Sequence, residues 1–190
     1  SVVQSTTDED VALDIVLTGS DPEADALTVL LWDGAASTTG SITTASGGTV
    51  TIAATTDDLA TATYTPLADY FGEDSFEYVV NDGAVDSAAT TVNLTVTSVN
   101  DAPLTDAVSA DTSEDTPVDL VLSATDADGD AITVLLWDGA QGVTTDITTA
   151  NGGTVAVGAT TADQATATYT PAVDYSGTDT FEYIANDGSA

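Results

Sequence analysis

The sequence contains no lysine, arginine or histidine, although it contains 32 aspartates and glutamates. Its formal charge of −32 has no internal cation to balance it, so side-chain salt bridges cannot form. Nucleic acids and anionic membrane surfaces are poor partners for such a chain, because both are bound through basic residues that neutralise phosphates or lipid headgroups. The cations that neutralise these carboxylates must come from solution.

Cysteine is absent as well, and aromatic residues make up only 6% of the chain. The lack of cysteine excludes disulfide bonds, thiolate metal sites and cysteine nucleophiles. No stretch approaches the roughly 20 apolar residues of a membrane-spanning helix, so we expect no direct membrane insertion. The N-terminus lacks the basic and apolar regions of a signal peptide, and we expect the sequence to be an internal piece of a longer protein.

Few groups are left that could carry catalysis. The sequence offers no histidine base, no lysine nucleophile and no cationic clamp for a phosphate. Pairs of carboxylates alone could perform acid–base chemistry, as they do in glycosidases. We therefore expect that the protein is not an enzyme.

The residues that are present favour a folded β protein arranged as a tandem repeat. Hydrophobic residues make up 42% of the chain, and Val, Ile, Thr and Tyr are abundant, which argues against disorder. Sliding the sequence by 105 residues places Trp32 on Trp137 and Tyr64 on Tyr169 without a gap. We predict two domains, 1–101 and 102–190, the second C-terminally incomplete because nothing in it corresponds to residues 90–99.

Apolar and polar residues alternate in short segments separated by turn residues, which is typical of half-buried strands. In the first copy the segments are Val11–Leu17, Leu27–Leu31, Thr49–Ile52, Ala60–Pro66, Phe76–Val80 and Val92–Val96, preceded by a short strand around Val2 and Val3. We predict an all-β fold of two tandem seven-stranded immunoglobulin-like β-sandwiches end to end, the second lacking its last strand.

Five motifs follow one another in a fixed order along the repeat, and three of them occur in both copies. They are Glu-Asp (9–10 and 114–115), Asp-x-Asp-Gly-Asp (126–130), the run Tyr-Thr-Pro-x-x-Asp-Tyr-x-Gly-x-Asp-x-Phe-x-Tyr (64–78 and 169–183), Asn-Asp-Gly (81–83 and 186–188) and Val-Asn-Asp-Ala-Pro (99–103). Together they resemble the cadherin-like tandem repeats of large bacterial surface and biofilm adhesins. The resemblance implies an extracellular protein, on the bacterial surface or secreted, whose neighbouring repeats form stiff calcium-dependent rods. The first copy departs from the Asp-x-Asp-Gly-Asp motif, because it has Glu23 and Ala24 where the second copy has Asp128 and Gly129.

Carboxylates concentrate in the loops that this fold would bring to the two ends of each sandwich. The lower end of the first repeat and the upper end of the second are joined by a short linker, so about ten carboxylates should converge there. Ca²⁺ suits them because it takes six to eight oxygen ligands, whereas zinc and copper favour the absent His and Cys. The predicted ligands are Glu9, Asp10, Asp69, Asp74, Asn100, Asp101, Asp126, Asp128, Asp130 and Asp187, with a second group of Asp21, Glu23, Asp25, Asp82, Glu114 and Asp115. The alternative is that these loops are solvated surface that aids solubility.

Three functions fit these expectations. The first is a non-catalytic structural extender of a surface adhesin, made rigid by calcium. The second is a subunit of an extracellular filament, a homopolymer assembled by strand exchange or head-to-tail contacts, since an exposed sheet edge invites such pairing. The third is calcium-dependent glycan binding.

Overall fold

The computed structural model describes residues 3–53, 56, 58–161 and 163–189, with only the backbone described at Val3. It divides into two compact units, Ser1–Val99 and Asn100–Ala190. The sequence prediction places the boundary after Asp101, whereas the structure assigns Asn100 and Asp101 to the second unit. The reason is that both residues form hydrogen bonds to loops of that unit. No helix in the described ranges is long and apolar enough to cross a membrane.

The first unit contains nine strands in its described part. They are β1 (Val3–Asp8), β2 (Leu13–Thr18), β3 (Thr28–Trp32), β4 (Ser37–Thr38), β5 (Ser41–Thr43), β6 (Thr49–Ile52), β7 (Leu59–Thr65), β8 (Gly72–Asn81) and β9 (Thr90–Thr97). One sheet has the order β1-β9-β8-β3-β4 and the other has the order β2-β7-β6-β5. β1 runs parallel to β9, and all other pairs within the unit are antiparallel.

The core of the first unit is built from alternate residues of both sheets. Val92, Leu94 and Val96 of β9 are buried, and so are Ala62 and Tyr64 of β7. Because successive side chains of a strand point to opposite faces, one face of each sheet is apolar and the other carries mainly polar residues. Each large side chain buried in this way contributes about 1.5–3 kcal/mol. The unit is a β-sandwich, as the sequence predicts.

The second unit contains eight strands among residues 100–161 and 163–189. They are β10 (Leu104–Thr105), β11 (Val118–Thr125), β12 (Thr133–Trp137), β13 (Gly142–Val143), β14 (Ile147–Thr148), β15 (Thr154–Thr161), β16 (Gln164–Thr170) and β17 (Tyr183–Asn186). The sheets have the orders β10-β11-β16-β15-β14 and β13-β12-β17. Leu122, Leu136 and Val155 are the largest of its fully buried side chains.

β8 of the first unit and its counterpart β17 in the second have different neighbours. β8 pairs with β3 on one side and β9 on the other, whereas β17 pairs with β12 alone in the described part of the second unit. Phe76 is 4% exposed beneath β9, but its counterpart Phe181 is only half-buried. The prediction that the second repeat lacks its last strand is therefore confirmed.

The strands of the first unit differ from the prediction in number and length. β4 and β5 are additional, and they contain two and three residues, too few for an alternating pattern to show. β1 is predicted only around Val2 and Val3 but continues to Asp8, because its parallel ladder with β9 holds the polar residues Gln4 to Thr7 in an extended conformation. Val2 lies outside the described residues.

Candidate metal centre

The linker residues Asn100 and Asp101 are attached to two acidic loops of the second unit. The side-chain amide of Asn100 donates a hydrogen bond of 2.8 Å to Oδ2 of Asp187. The backbone N–H of Asp101 donates a hydrogen bond of 2.7 Å to Oδ2 of Asp128. Ser189 also contributes, since its hydroxyl donates to Oδ1 of Asn100 over 2.9 Å. Four residues that the sequence predicts as ligands are thus brought together within one unit.

Asp126 and Asp130 belong to the same loop as Asp128. The backbone N–H of Asp130 donates to Oδ1 of Asp126 over 3.1 Å, which closes the loop on its first carboxylate. Gly129 lies between them with a φ of 76°, a left-handed conformation that glycine adopts without a steric penalty. The second oxygen of Asp126, Oδ2, is buried and accepts no hydrogen bond in the described structure. A buried carboxylate oxygen is costly to leave unsatisfied, so this atom fits a cation ligand.

The local hydrogen bonds already favour a charged carboxylate at Asp187. The side chain of Asn100 and the backbone N–H of Ser189 both donate to it, and together they lower the pKa of Asp187. It is therefore ionised at neutral pH, which is the state in which a carboxylate binds calcium.

In the first unit, Glu9 holds the end of the chain segment that follows β9. Glu9 is only 3% exposed, and its Oε1 accepts a hydrogen bond of 2.6 Å from the backbone N–H of Val99. The backbone N–H of Glu9 donates to the carbonyl of Thr97 over 2.9 Å. Its counterpart Glu114 is exposed. The two glutamates therefore share a motif but differ in surroundings, because the described second unit has no segment equivalent to 97–99.

Asp10 and Asp69 form a pair that the second unit repeats with Asp115 and Asp174. The backbone N–H of Asp69 donates to Oδ1 of Asp10 over 3.3 Å, and that of Asp174 donates to Oδ1 of Asp115 over 3.1 Å. All four residues have positive φ angles, which aspartate tolerates better than most residues. The structure thus brings together two of the predicted ligands of the first unit, both of them exposed.

Asp74 lies in different surroundings from the other predicted ligands of the first unit. It is 7% exposed, and its Oδ2 accepts hydrogen bonds from the hydroxyls of Thr44 (2.6 Å) and Tyr64 (2.8 Å). Its Oδ1 accepts the backbone N–H of Ser75 over 2.8 Å. Tyr64 is fully buried, and the pKa of its phenol is raised, mainly by this burial and then by the neighbouring Asp74 carboxylate. These donors satisfy both oxygens, so the geometry favours a role in holding the sandwich together.

The second unit repeats this arrangement around Asp179. Its carboxylate accepts hydrogen bonds from Thr149, Tyr169, Asn151 and the backbone of Thr180. Burial by itself would raise the pKa of Asp179, but these four donors outweigh it and lower the pKa. Burial and the nearby Asp179 carboxylate raise the pKa of Tyr169 to about 12. Asp179 was not among the predicted ligands, although its sequence position matches that of Asp74.

The second group of predicted ligands lies mainly in loops of the first unit that satisfy themselves locally. Oδ1 of Asp21 accepts the backbone N–H groups of Glu23 (2.8 Å) and Asp25 (3.1 Å). Ala24 has a φ of 61°, at the position that Gly129 occupies in the second unit. Asp82 accepts the N–H groups of two residues of its own loop, which lower its pKa. In the described part of the first unit, the hydrogen bonds that Asp21 and Asp82 accept come from their own loops.

Comparison with known protein families agrees with this architecture. The bacterial Ig domain family matches residues 1–95 and 100–190. The chain belongs to this family. Its resemblance to tandem immunoglobulin-like repeats of bacterial proteins is thereby confirmed.

Individual relatives of this bacterial Ig domain protein are distant. It is 33% identical over 114 residues to integrin beta-like protein B of Dictyostelium discoideum, covering 58% of this chain and 6% of that protein. Among solved structures, the endo-fucoidan hydrolase MfFcnA4 of glycoside hydrolase family 107 aligns with a TM-score of 0.42 and 20% identity, over 99% of this chain and 26% of that one. The titin domains z1z2 in complex with telethonin align with a TM-score of 0.36 and 13% identity, over 90% and 79% of the two chains.

Proposed function

We propose that these bacterial Ig domains are a non-catalytic extender of an extracellular surface protein, and that calcium makes them rigid. The observation that carries the proposal is the buried Oδ2 of Asp126, which has no described hydrogen-bond donor. It lies in the loop whose Asp128 accepts the linker N–H of Asp101. A cation at this loop would satisfy the Asp126 oxygen and hold the linker against the second unit.

The donor set supports calcium among the common cations. The two loops and the linker offer carboxylates from Asp126, Asp128 and Asp187 and an amide oxygen from Asn100, all of them hard oxygen ligands. Magnesium demands near-octahedral geometry and gives up its water reluctantly, so it gains less from such a cage. Calcium at these residues would also reduce the repulsion between carboxylates, which is about 3 kcal/mol for two charges 5 Å apart at an effective dielectric of 20.

The linker is short and is bonded on both sides, so calcium bound beside it would limit its freedom to bend. Val99 is bonded to Glu9 within the first unit, and the next two residues, Asn100 and Asp101, are bonded within the second. Ordering both sides of this short connection would leave few residues able to change conformation. Family membership and the absence of basic residues agree with an extracellular repeat that binds neither nucleic acid nor anionic membranes.

Calorimetric titration of the calcium-stripped chain tests the proposal. We expect saturable binding of calcium, with magnesium at the same concentration displacing little of it. Binding should also raise the unfolding free energy, by about 2.7 kcal/mol when free calcium is 100 times Kd. A titration that shows no heat of calcium binding and no rise in thermal stability would leave these loops as solvated surface.

A second candidate function is a filament subunit assembled by strand exchange. An exposed sheet edge invites such pairing. Electron microscopy of the purified chain separates the two functions, since regular fibres that survive dilution support assembly and isolated rods support the extender.

A further inference from the structure

A tight turn connects β14 and β15 in the second unit. The backbone N–H of Gly152 donates to the carbonyl of Thr149 over 3.1 Å, and the N–H of Thr149 donates to the carbonyl of Gly153 over 2.9 Å. Gly152 has a φ of 84°, a left-handed conformation that glycine adopts without a steric penalty. The turn therefore favours glycine directly after Asn151, which is exposed.

The side chain of Asn151 joins this turn to the segment before β17. Its amide nitrogen donates to the carbonyl of Thr178 and to Oδ1 of Asp179, both over 3.2 Å. Asp179 is the half-buried carboxylate that also accepts hydrogen bonds from Thr149 and Tyr169. The Asn151 amide thus helps to attach the turn to the rest of the unit.

The first unit has the same turn with a different residue at this position. The N–H of Gly47 donates to the carbonyl of Thr44 over 3.1 Å, and Gly47 has a φ of 88°. The residue before it is Ser46, whose hydroxyl donates to the phenolic oxygen of Tyr70 over 2.9 Å. A side-chain amide is therefore not needed to build this turn.

Asparagine followed by glycine is prone to lose its side-chain amide without an enzyme. The backbone nitrogen of the glycine attacks the side-chain carbonyl carbon, a five-membered succinimide forms, and ammonia leaves with the proton of that nitrogen. Water then opens the ring at either carbonyl to give aspartate or isoaspartate. Glycine favours the attack because it has no Cβ to obstruct the approach. Of the asparagines at 81, 93, 100, 151 and 186, only Asn151 precedes glycine.

The folded turn restrains both reacting groups. The attacking nitrogen of Gly152 is bonded to Thr149, and the amide that must leave is bonded to Thr178 and Asp179. Ring closure therefore needs the turn to open, and exposed turns open locally at a lower free-energy cost than global unfolding. The product carries a carboxylate in place of the donor, so both hydrogen bonds of the amide are lost and a second negative charge lies beside Asp179. Isoaspartate also lengthens the main chain through the turn.

We propose that Asn151 is a site of spontaneous deamidation whose rate is set by the opening of its turn and whose product loosens the turn irreversibly. The reactants are the chain itself and water, and the products are ammonia and a chain with aspartate or isoaspartate at position 151. None of the residues that hold the Asn151 turn is a predicted calcium ligand, so this inference is independent of the calcium extender function.

Incubation of the intact chain at mildly alkaline pH tests the site. Digestion with a protease that cleaves at acidic residues, followed by mass spectrometry, locates the gain in mass that accompanies deamidation, since the chain has no lysine or arginine for trypsin. We expect position 151 to convert an order of magnitude faster than positions 81, 93, 100 and 186, which are the internal controls. A synthetic peptide of residues 147–155 should convert several-fold faster than the folded chain, because its glycine nitrogen is not held in the turn.

Hydrogen exchange tests the consequence for the second unit. In the Asn151→Asp variant, exchange should be several-fold faster at residues 149–154 and 178–179 than in the parent chain. Ala150→Asp is the matched control, because it adds the same charge at the exposed neighbouring position and leaves the Asn151 amide in place. Conversion at 151 no faster than at the other asparagines, equal rates in the peptide and the folded chain, or equal exchange in the two aspartate variants would overturn the proposal.

Discussion

The backbone N–H of Asp101 donates a 2.7 Å hydrogen bond to Oδ2 of Asp128, which joins the linker to an acidic loop 27 residues further along the chain. In the same loop Asp126 buries an oxygen with no described donor. Asn100 and Asp101 are therefore part of the second unit, where they are bonded to two loops that carry predicted ligands.

Replacing Asp128 should weaken calcium binding. Asp128→Asn removes one charge from the loop while preserving its shape, and we expect the Kd for calcium to rise about tenfold, equivalent to about 1.4 kcal/mol. Asp138→Asn is the matched control, because Asp138 accepts the N–H groups of Ala140 and Gln141 in its own turn, away from the linker. Calorimetry should find the Kd of the Asp138→Asn variant for calcium unchanged. An equal loss in both variants would indicate a general effect of net charge.

The hydroxyl of Tyr64 should stabilise the first unit through the buried Asp74. Tyr64→Phe removes the hydrogen bond to this buried carboxyl group without changing the packing, and we expect a loss of about 2 kcal/mol in urea unfolding. Tyr70→Phe is the control, since the Tyr70 hydroxyl donates to the neutral carbonyl of Glu73 and should cost about 1 kcal/mol. A Tyr64→Phe variant as stable as the parent would contradict a structural role for Asp74.

Alkaline pH should destabilise the second unit. The pKa of Tyr169 is raised to about 12 by burial and Asp179, whereas an unfolded tyrosine titrates near 10. The unfolded chain loses this proton first, so the stabilisation is fully present below about pH 10 and is lost as pH rises through 12. Urea unfolding across this pH range should show the unfolding free energy of the second unit falling. In Tyr169→Phe the fall should be smaller. An undiminished decline in that variant would assign the effect to other groups.

The loop of the first unit should gain stability from glycine at position 24. Ala24 has a φ of 61°, in the left-handed region where a Cβ costs roughly 1–2 kcal/mol. Ala24→Gly should therefore stabilise the first unit by about 1 kcal/mol, despite the larger entropy of the unfolded chain. Ala35→Gly, at a loop position without a positive φ, should be neutral or destabilising. Thermal melts measure the stability of both variants. A loss of stability in Ala24→Gly would show that the left-handed conformation at residue 24 does not strain the first unit.

Much of the fold was predictable because its long strands alternate so regularly. Val92, Leu94 and Val96 have a period of two, and the structure buries all three. β4 and β5 were missed because strands of two or three residues contain no period, and they form where the neighbouring strand offers a partner. The parallel pairing of β1 depends on β9, which lies about 90 residues away in sequence.

The site was less predictable because proximity in sequence does not determine the direction of a side chain. Asp74 follows an acidic turn, and the sequence analysis counts it among the ligands of that turn. In β8, however, it lies two and four residues before Phe76 and Tyr78 and is buried on the same face of the strand. Applying the two-residue period one step further would have assigned it to the core. Asn100 and Asp101 are predicted as ligands at the end of the first domain, and their hydrogen bonds to Asp187 and Asp128 place them in the second unit instead.

The measurement that tests the extender account most directly is small-angle X-ray scattering of the chain with calcium and after its removal by a chelator, combined with thermal melts of the same samples. The account predicts a narrower range of interdomain distances and a higher unfolding temperature with calcium, and loss of both effects in a chain carrying Asp126→Ala and Asp128→Ala. Scattering curves and melting temperatures that are the same with and without calcium would contradict it.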